Sequence, residues 1–287
     1  MKKSESKRKT GDRKYMSFLL PSLLGTGIFS VLPFADSLRR SFFRTVSGDF
    51  CGTENYRAVF SNEAFLLAVK NTALFTAVFL PVLITLSFLT AYFISGLKFM
   101  RVIRSVLLFP LAVPTAALVL VWKLLFQPAG MVNGVLTVCG ADTVSFLDSG
   151  AAFGVLVGSY IWKNLGYTVL LWLTGISGIS SSLSEAAKVD GAGRLQIMRH
   201  IILPNLKPTM YTITVISFLN SFKVFREAYL VAGAYPHRSI YLMQHLFNNW
   251  FSNFELDKMS AATVAVFGVI LAAVSLLQRA WDKEARA

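Results

Sequence analysis

Long apolar runs separated by short polar connectors constrain this chain more than any other feature of its sequence. They extend over Ser17 to Leu38, Leu67 to Ser95, Val102 to Phe126, Ala151 to Ile176, Thr209 to Ala232 and Met259 to Trp281. Each reaches the ~20 residues that a helix needs to cross a ~30 Å hydrocarbon core. Lipid offers a backbone no hydrogen-bond partner, so a spanning segment of this kind bonds to itself as a helix. Composition agrees: 54% of residues are hydrophobic and the mean hydropathy is +0.57, too apolar for a soluble domain of this length. The predicted fold is therefore an all-α integral membrane protein with about six transmembrane helices. Pro21 and Pro33 fall near the ends of the first run, while Pro81, Pro110 and Pro114 interrupt two others. A bundle tolerates such breaks when neighbours satisfy the freed carbonyls. The first run is longer than a signal-peptide core and no A-x-A site follows it, which predicts an uncleaved span.

The connectors set the orientation. One set holds Lys2, Lys3, Lys7, Arg8, Lys9, Arg13 and Lys14, then Lys98, Arg101 and Arg104, then Lys188, Arg194, Arg199 and Lys207, then Arg279, Lys283 and Arg286. The other set mixes Arg39, Arg40, Arg44, Arg57, Arg238 and Lys258 with seven acids, among them Glu54, Glu63 and Asp257. Cytoplasmic loops carry the excess of Lys and Arg, so both termini are expected in the cytoplasm, with Arg39 and Arg40 against the trend. The net charge of +13 is split into these clusters beside the apolar runs, which points to lipid headgroups as partner and not to nucleic acid. The expected organisation is a basic cytoplasmic tail over 1–16, a transmembrane domain over 17–281 and a short cytoplasmic tail over 282–287.

Between the fourth and fifth runs, Ser182 to Pro208 is polar and basic, and its pattern predicts two short cytoplasmic helices joined by a glycine turn. Ser182 and Glu185 stand three apart as a capping box. Ala186 and Ala187 leave a bare flank on a helix running to Asp190. Gly191 and Gly193 end it, because glycine accepts positive φ without a Cβ clash. Leu195, Met198 and Ile202, with Ile201 and Leu203 beside them, form an apolar stripe on the second helix, and Arg194, Gln196, Arg199 and His200 form its wet side. Pro204 is expected to stop this helix and Pro208 to open the next span.

Glu185-Ala186-Ala187, three residues, Gly191, nine residues, Ile201, one residue, Leu203-Pro204 resembles, with every spacing intact, the E-A-A motif of permease subunits of bacterial ABC importers. Phe50-Cys51-Gly52-Thr53-Glu54-Asn55-Tyr56, Asn71-Thr72, Gly130-Met131-Val132-Asn133 and Ser221-Phe222-Lys223-Val224-Phe225 resemble further stretches of the sugar-importing, maltose-type and glycerol-phosphate-type branch. The resemblance implies one half of a carbohydrate translocation pathway in a bacterial inner membrane. It also implies a second, similar permease, a dimer of cytoplasmic ATPases and an extracellular or periplasmic sugar-binding protein. Glu185, Ala186, Ala187, Asp190, Gly191, Ile201, Leu203 and Pro204 then form the ATPase-coupling loop.

The transport site is expected on the fourth and fifth runs. Lys163 and Asn164 lie about twelve residues from either end of the fourth, ~18 Å deep at 1.5 Å per residue. A charge at that depth costs roughly 2.5 to 3.5 kcal/mol on insertion scales, so it faces a wet cavity or a partner. Leu165-Gly166-Tyr167 resembles a short motif near the sugar site of related permeases, where the glycine opens room and the ring stacks on a sugar face. Ser217, Asn220 and Ser221 offer hydroxyl and amide partners on the fifth run. The alternative for all of these is plain interhelical hydrogen bonding, typically about 0.6 kcal/mol in membranes. Lys123, Lys223, Arg226 and Glu227 lie nearer span ends, where snorkelling or a salt bridge accounts for them.

Neither a phosphate-binding loop nor a catalytic or metal-ligating spacing is present, so no enzyme activity, cofactor or metal is expected of this chain. Any ATP-driven function needs a nucleotide site on another chain. Cys51 and Cys139 are open to pairing outside the cell or to standing as two inert thiols. A secondary transporter or channel for a small polar solute is the competing reading. It needs intramembrane carboxylates or an inverted repeat, and Asp36 and Glu227 are the only acids in the runs.

Overall fold

The computed structural model describes residues 19–97 and 100–286. The N-terminal basic tail over 1–16 lies outside the described residues. Among the described residues, helix accounts for most of each predicted run. α1 spans Leu19–Arg40 and contains a π-helical turn at Gly27–Val31. α2 (Glu54–Phe60), α3 (Glu63–Ile94), α4 (Met100–Ala112), α5 (Thr115–Phe126), α6 (Met131–Val138) and α7 (Ala151–Ser177) follow. The connector carries α8 (Ser181–Val189) and α9, residues 194–205, in which Arg194–Ile197 and Leu203–Asn205 flank a π-helical turn at Met198–Ile202. α10 (Lys207–Ser221), α11 (Phe225–Ala232), α12 (Met243–Ser252) and α13 (Leu256–Arg286) complete the chain.

Leu19–Arg40, Glu63–Ile94, Thr115–Val138 and Leu256–Asp282 are each long and apolar enough to cross a membrane. Two predicted runs are broken. Pro114 takes an extended ψ of 136°, and its ring disfavours helix at Val113, so the third run becomes α4 and α5. The fifth run turns at Phe222 to Val224 and becomes α10 and α11. Pro204 does not stop its helix at the residue before it: the π-helical turn at Met198–Ile202 leads into Leu203–Asn205, and α9 continues past the proline to Asn205.

The chain forms two compact units. One takes in the described residues up to Asn62 together with Trp250–Ala273. In it, Thr45 N–H donates to Asp257 Oδ2 at 3.2 Å while Asp257 N–H donates to Thr45 Oγ1 at 2.9 Å. Asn55 donates to the carbonyls of Ser41 and Phe43, and Phe34 packs on Phe267 with ring centroids 4.6 Å apart. Glu54 is held below the usual carboxylate range by its hydrogen bond and charge pairing with Arg44.

The other unit holds Glu63–Asn249 and Val274 onward. Its core has two parts. Phe75, Phe79 and Leu83 of α3 pack with Leu156 and Tyr160 of α7 and Ala228 of α11. Phe88 and Ala91 of α3 pack with Val169, Trp172 and Leu173 of α7, Leu206 and Ile213. α4 packs on α7 and α11 on α5. The asparagines of the apolar-run motifs clamp loops: Asn71 donates to the carbonyls of Arg238 and Tyr241. Asn133 both donates to Val144 O, at 3.0 Å, and accepts from Val144 N–H, at 2.8 Å. Cys51 and Cys139 are free thiols.

His245, in the first turn of α12, is fully buried, and its Nδ1 accepts Leu242 N–H at 3.1 Å. Burial lowers its pKa from 6.5 to about 4. The folded protein therefore refuses a proton that the unfolded chain accepts, so this contribution is complete above about pH 6.5 and is lost as pH falls toward 4. The loss is on the order of 3 kcal/mol. Thermal unfolding of detergent-purified protein between pH 7 and 4 should show it as a falling midpoint that flattens in His245→Gln. Parallel curves for the two proteins would remove His245 as the cause.

Candidate functional site

α7 is lined up by its small residues. Gly166 is buried, and a Cβ added there would stand 1.7 Å from Leu107 O of α4. Only glycine permits that approach of backbone to backbone. Gly175 does the same beside Thr209 of α10, where a Cβ would lie 2.4 Å from the hydroxyl. Gly166→Val should therefore separate α4 from α7 and cost about 1 to 3 kcal/mol or more. The readout is the unfolding midpoint of purified protein, and an unchanged midpoint would sink the assignment.

The helices so placed carry Lys163 to the centre of a polar cluster. Its Nζ donates to Glu227 Oε1 of α11 at 2.5 Å and to Thr115 Oγ1 of α5 at 2.9 Å. The side chains of Lys163 and Glu227 are 16% and 7% exposed. Three helices thus meet at one ammonium. Tyr160 donates to Asn220 O at 2.6 Å, and Asn220 Oδ1 accepts from Lys223 Nζ at 3.0 Å. These groups line a cavity of about 420 Å³ that also takes in Asn164, Phe225, Arg226 and Gln244.

Of the residues expected to form the transport site, the cavity brings together Lys163, Asn164 and Asn220. Asn164 turns its amide back to Tyr160 O on its own helix at 2.8 Å. Gly166, Tyr167, Ser217 and Ser221 are not in the cavity wall. Gly166 makes a helix contact in place of an open space, and Tyr167 is exposed. Ser217 is buried, and Ser221 Oγ lies 3.0 Å from Thr76 Oγ1 of α3. Lys223 and Arg226 line the cavity and form no salt bridge among the described residues, whereas Glu227 pairs with Lys163. The sequence signalled that Lys163 needs a cavity or a partner at its depth, and the structure supplies that partner as Glu227. Tyr160, Thr115 and Gln244 gave no such signal.

The connector after α7 is a second candidate site. α8 begins two residues earlier than expected, with Ser180 as its N-cap and no side-chain cap. The expected capping box of Ser182 and Glu185 is not formed; Ser182 Oγ sits 2.7 Å from Ser180 Oγ. Glu185, Ala186 and Ala187 lie on α8, and Asp190 follows its last turn. Gly191 has φ +83°. Gly191 N–H donates to Lys188 O at 3.1 Å and Ala192 N–H to Ala187 O at 2.8 Å, the double closure of a Schellman motif. Gly193 has φ −70° and does not end α8; it starts α9, its N–H donating to Gln196 Oε1 at 2.7 Å.

The buried face of α9 is shifted from the expected stripe. Ile197 is buried and Leu195 is 70% exposed. Met198, Ile202 and Leu203 pack against the core beneath, and Pro204 is exposed. Between α8 and α9 lies a concavity of about 320 Å³ lined by Ala187, Asp190, Gly191, Gln196, His200 and Ile201. Leu183, Val189 and Leu195 stand exposed around this elbow.

Comparison with known proteins matches residues 83–287 to the family described as "Binding-protein-dependent transport system inner membrane component". The diacetylchitobiose uptake system permease protein NgcF of Streptomyces coelicolor is 30% identical over 285 residues, covering 92% of this chain and 79% of that protein. The sn-glycerol-3-phosphate transport system permease protein UgpA of Agrobacterium fabrum is 28% identical, over 94% of this chain and 96% of the relative. The trehalose/maltose transport system permease protein MalF of Thermococcus litoralis is 29% identical, over 88% of each. Among solved structures, a chain of a bacterial ABC transporter involved in the import of the acidic polysaccharide alginate superposes with a TM-score of 0.87 at 22% identity. It covers 98% of this chain and 99% of that one, a likeness of fold.

Proposed function

We propose a function on one premise: the chain belongs to the family of binding-protein-dependent transport system inner membrane components. It is a multi-pass inner-membrane permease subunit of an ABC importer that works with a substrate-binding protein. Energy for transport comes from a separate ATPase. On this reading the chain crosses the membrane about six times, over 17–281, with both termini and the α8–α9 elbow in the cytoplasm. Its partners are a second, similar permease and a dimer of ATPases.

The cargo is a carbohydrate. Relatives named for diacetylchitobiose, trehalose/maltose and sn-glycerol-3-phosphate favour it. The observation that carries it is the cavity, where amides from Asn164, Asn220 and Gln244 stand beside the rings of Tyr160 and Phe225. That mixture suits a ligand with many hydroxyls and apolar ring faces, since orientation comes from a few polar groups and area from aromatic ones.

The elbow supplies the coupling. Its exposed Leu183, Val189 and Leu195 offer apolar anchors of the kind a helix lays into a partner groove. Closure of the ATPase dimer on ATP moves α8, and α9 passes the motion through Leu206, buried in the core, into α10. Glu185, Ala186, Ala187, Asp190, Gly191, Ile201, Leu203 and Pro204 form this joint. Lys163, Asn164 and Asn220 serve the pathway directly; Gly166, Tyr167, Ser217 and Ser221 serve it through packing and helix position.

Proteoliposomes holding the complete importer test the assignment. ATP-dependent uptake of a saccharide from the panel of sugars bound by its binding protein is the expected result. An intact, ATP-hydrolysing complex that takes up none of them would exclude carbohydrate import.

A further inference from the structure

The cavity wall is unevenly charged. It carries three cations, Lys163, Lys223 and Arg226, against a single carboxylate, Glu227. That carboxylate is engaged by Lys163. Two cations are left, and neither has a carboxylate within ion-pair distance among the described residues: Lys223 donates to the neutral Asn220 amide, and Arg226 is exposed along the cavity. They stand one helical turn apart at the break between α10 and α11, next to Tyr160, Asn164 and Phe225.

Cations placed within a membrane-spanning segment are costly and sit where a water-filled path or a counter-charge receives them. A cavity walled by one sign of charge raises the local concentration of ligands of the other sign. A guanidinium also binds carboxylate or phosphate through two parallel N–H donors, a geometry that no sugar hydroxyl repays as well. We infer that the pathway is selective for anionic saccharides, carrying a carboxylate or phosphate, with Lys223 and Arg226 holding the anionic group while the amides and rings hold the sugar. This inference rests on the reading of the cavity as a carbohydrate path and narrows it.

The test is uptake by proteoliposomes of the complete importer, offered maltose, digalacturonate, glucose 6-phosphate and, as an anion that is not a sugar, succinate. Digalacturonate or glucose 6-phosphate should enter and maltose should lag. Lys223→Gln/Arg226→Gln should lower uptake of the anionic saccharide about tenfold or more, mainly by raising KM, since each charge-assisted contact is worth about that factor. The charge-keeping pair Lys223→Arg/Arg226→Lys should retain most of it, which a merely structural role for the two side chains does not require. Maltose entering as fast as the charged sugars, or wild-type anionic uptake in the Gln pair, would overturn the inference and leave carbohydrate import standing. Succinate entering while every saccharide fails would instead sink the carbohydrate reading and leave the anion preference in place.

Discussion

Glu227→Leu is expected to destabilise the purified protein by about 3 to 5 kcal/mol, the usual effect of removing one partner of a buried ion pair. The Lys163 side chain is only 16% exposed, and its remaining partner, Thr115 Oγ1, is neutral. An ammonium so placed keeps its desolvation cost without the charge that offset it. Lys163→Leu should cost a similar amount by stranding the carboxylate. The double variant Lys163→Leu/Glu227→Leu should recover most of the loss, because two apolar side chains of matching size remove both desolvation costs together. Sugar uptake should stay low in all three, as the cavity loses a charged group of its wall. The measurement is the unfolding midpoint in detergent together with uptake in vesicles. Single variants as stable as wild type would show that the pair is not a buried one.

Gly191→Val is expected to abolish uptake while leaving insertion intact. Gly191 sits at φ +83°, and an added Cβ meets nothing within 4 Å. The penalty therefore lies wholly in the backbone conformation, roughly 1 to 3 kcal/mol for a β-branched residue. Relief of that strain opens the double closure from Lys188 O and Ala187 O and swings α8 away from its angle to α9. A gate moved from mostly one state to mostly the other needs about 5.5 kcal/mol of differential interaction, so a loss of a few at the joint is enough to uncouple it. Gly191→Asn, which tolerates the left-handed region, should keep much of the activity. Co-purification of the ATPase and sugar-stimulated ATP hydrolysis in vesicles check the prediction. Wild-type values of both in the Val variant would remove Gly191 from the coupling path. Glu185→Lys is expected to weaken the same contact through its exposed position on α8.

Expectation and structure part at four places in particular. Ser182 and Glu185 have the spacing of a capping box, yet α8 starts at Ser181 and a hydroxyl pair replaces the cap. Gly193 looks like a second helix stop, yet its N–H is taken by Gln196 and it begins a helix. Leu195 lies on the apolar stripe by count, but the π-helical turn at Met198–Ile202 adds a residue to the turn and rotates the face, burying Ile197. Gly166 was read for the space it leaves and is instead filled by Leu107. Each is a local pattern with more than one geometry that satisfies it; at Ser182 and Gly193 a neighbour two or three residues away selects among them, and at Gly166 the facing helix does.

What the residue order alone decides is whatever rests on length, apolarity and fixed spacing. Apolar runs in lipid have a single way to satisfy their backbones, so the all-α membrane class follows without reference to any partner. The positive φ of Gly191 follows as well, because a helix that stops before a glycine with carbonyls left over closes in the left-handed region. The tertiary structure decides which polar groups meet. Lys163 and Glu227 are separated by |i−j| = 64, and nothing in the spacing of either helix selects the other as partner. Their meeting needs Gly166 to bring α4 against α7 and the break at Phe222 to Val224 to set α11 against α5. Helix crossing and register are set by interdigitating side chains from segments far apart in the chain, and only the packed molecule fixes them.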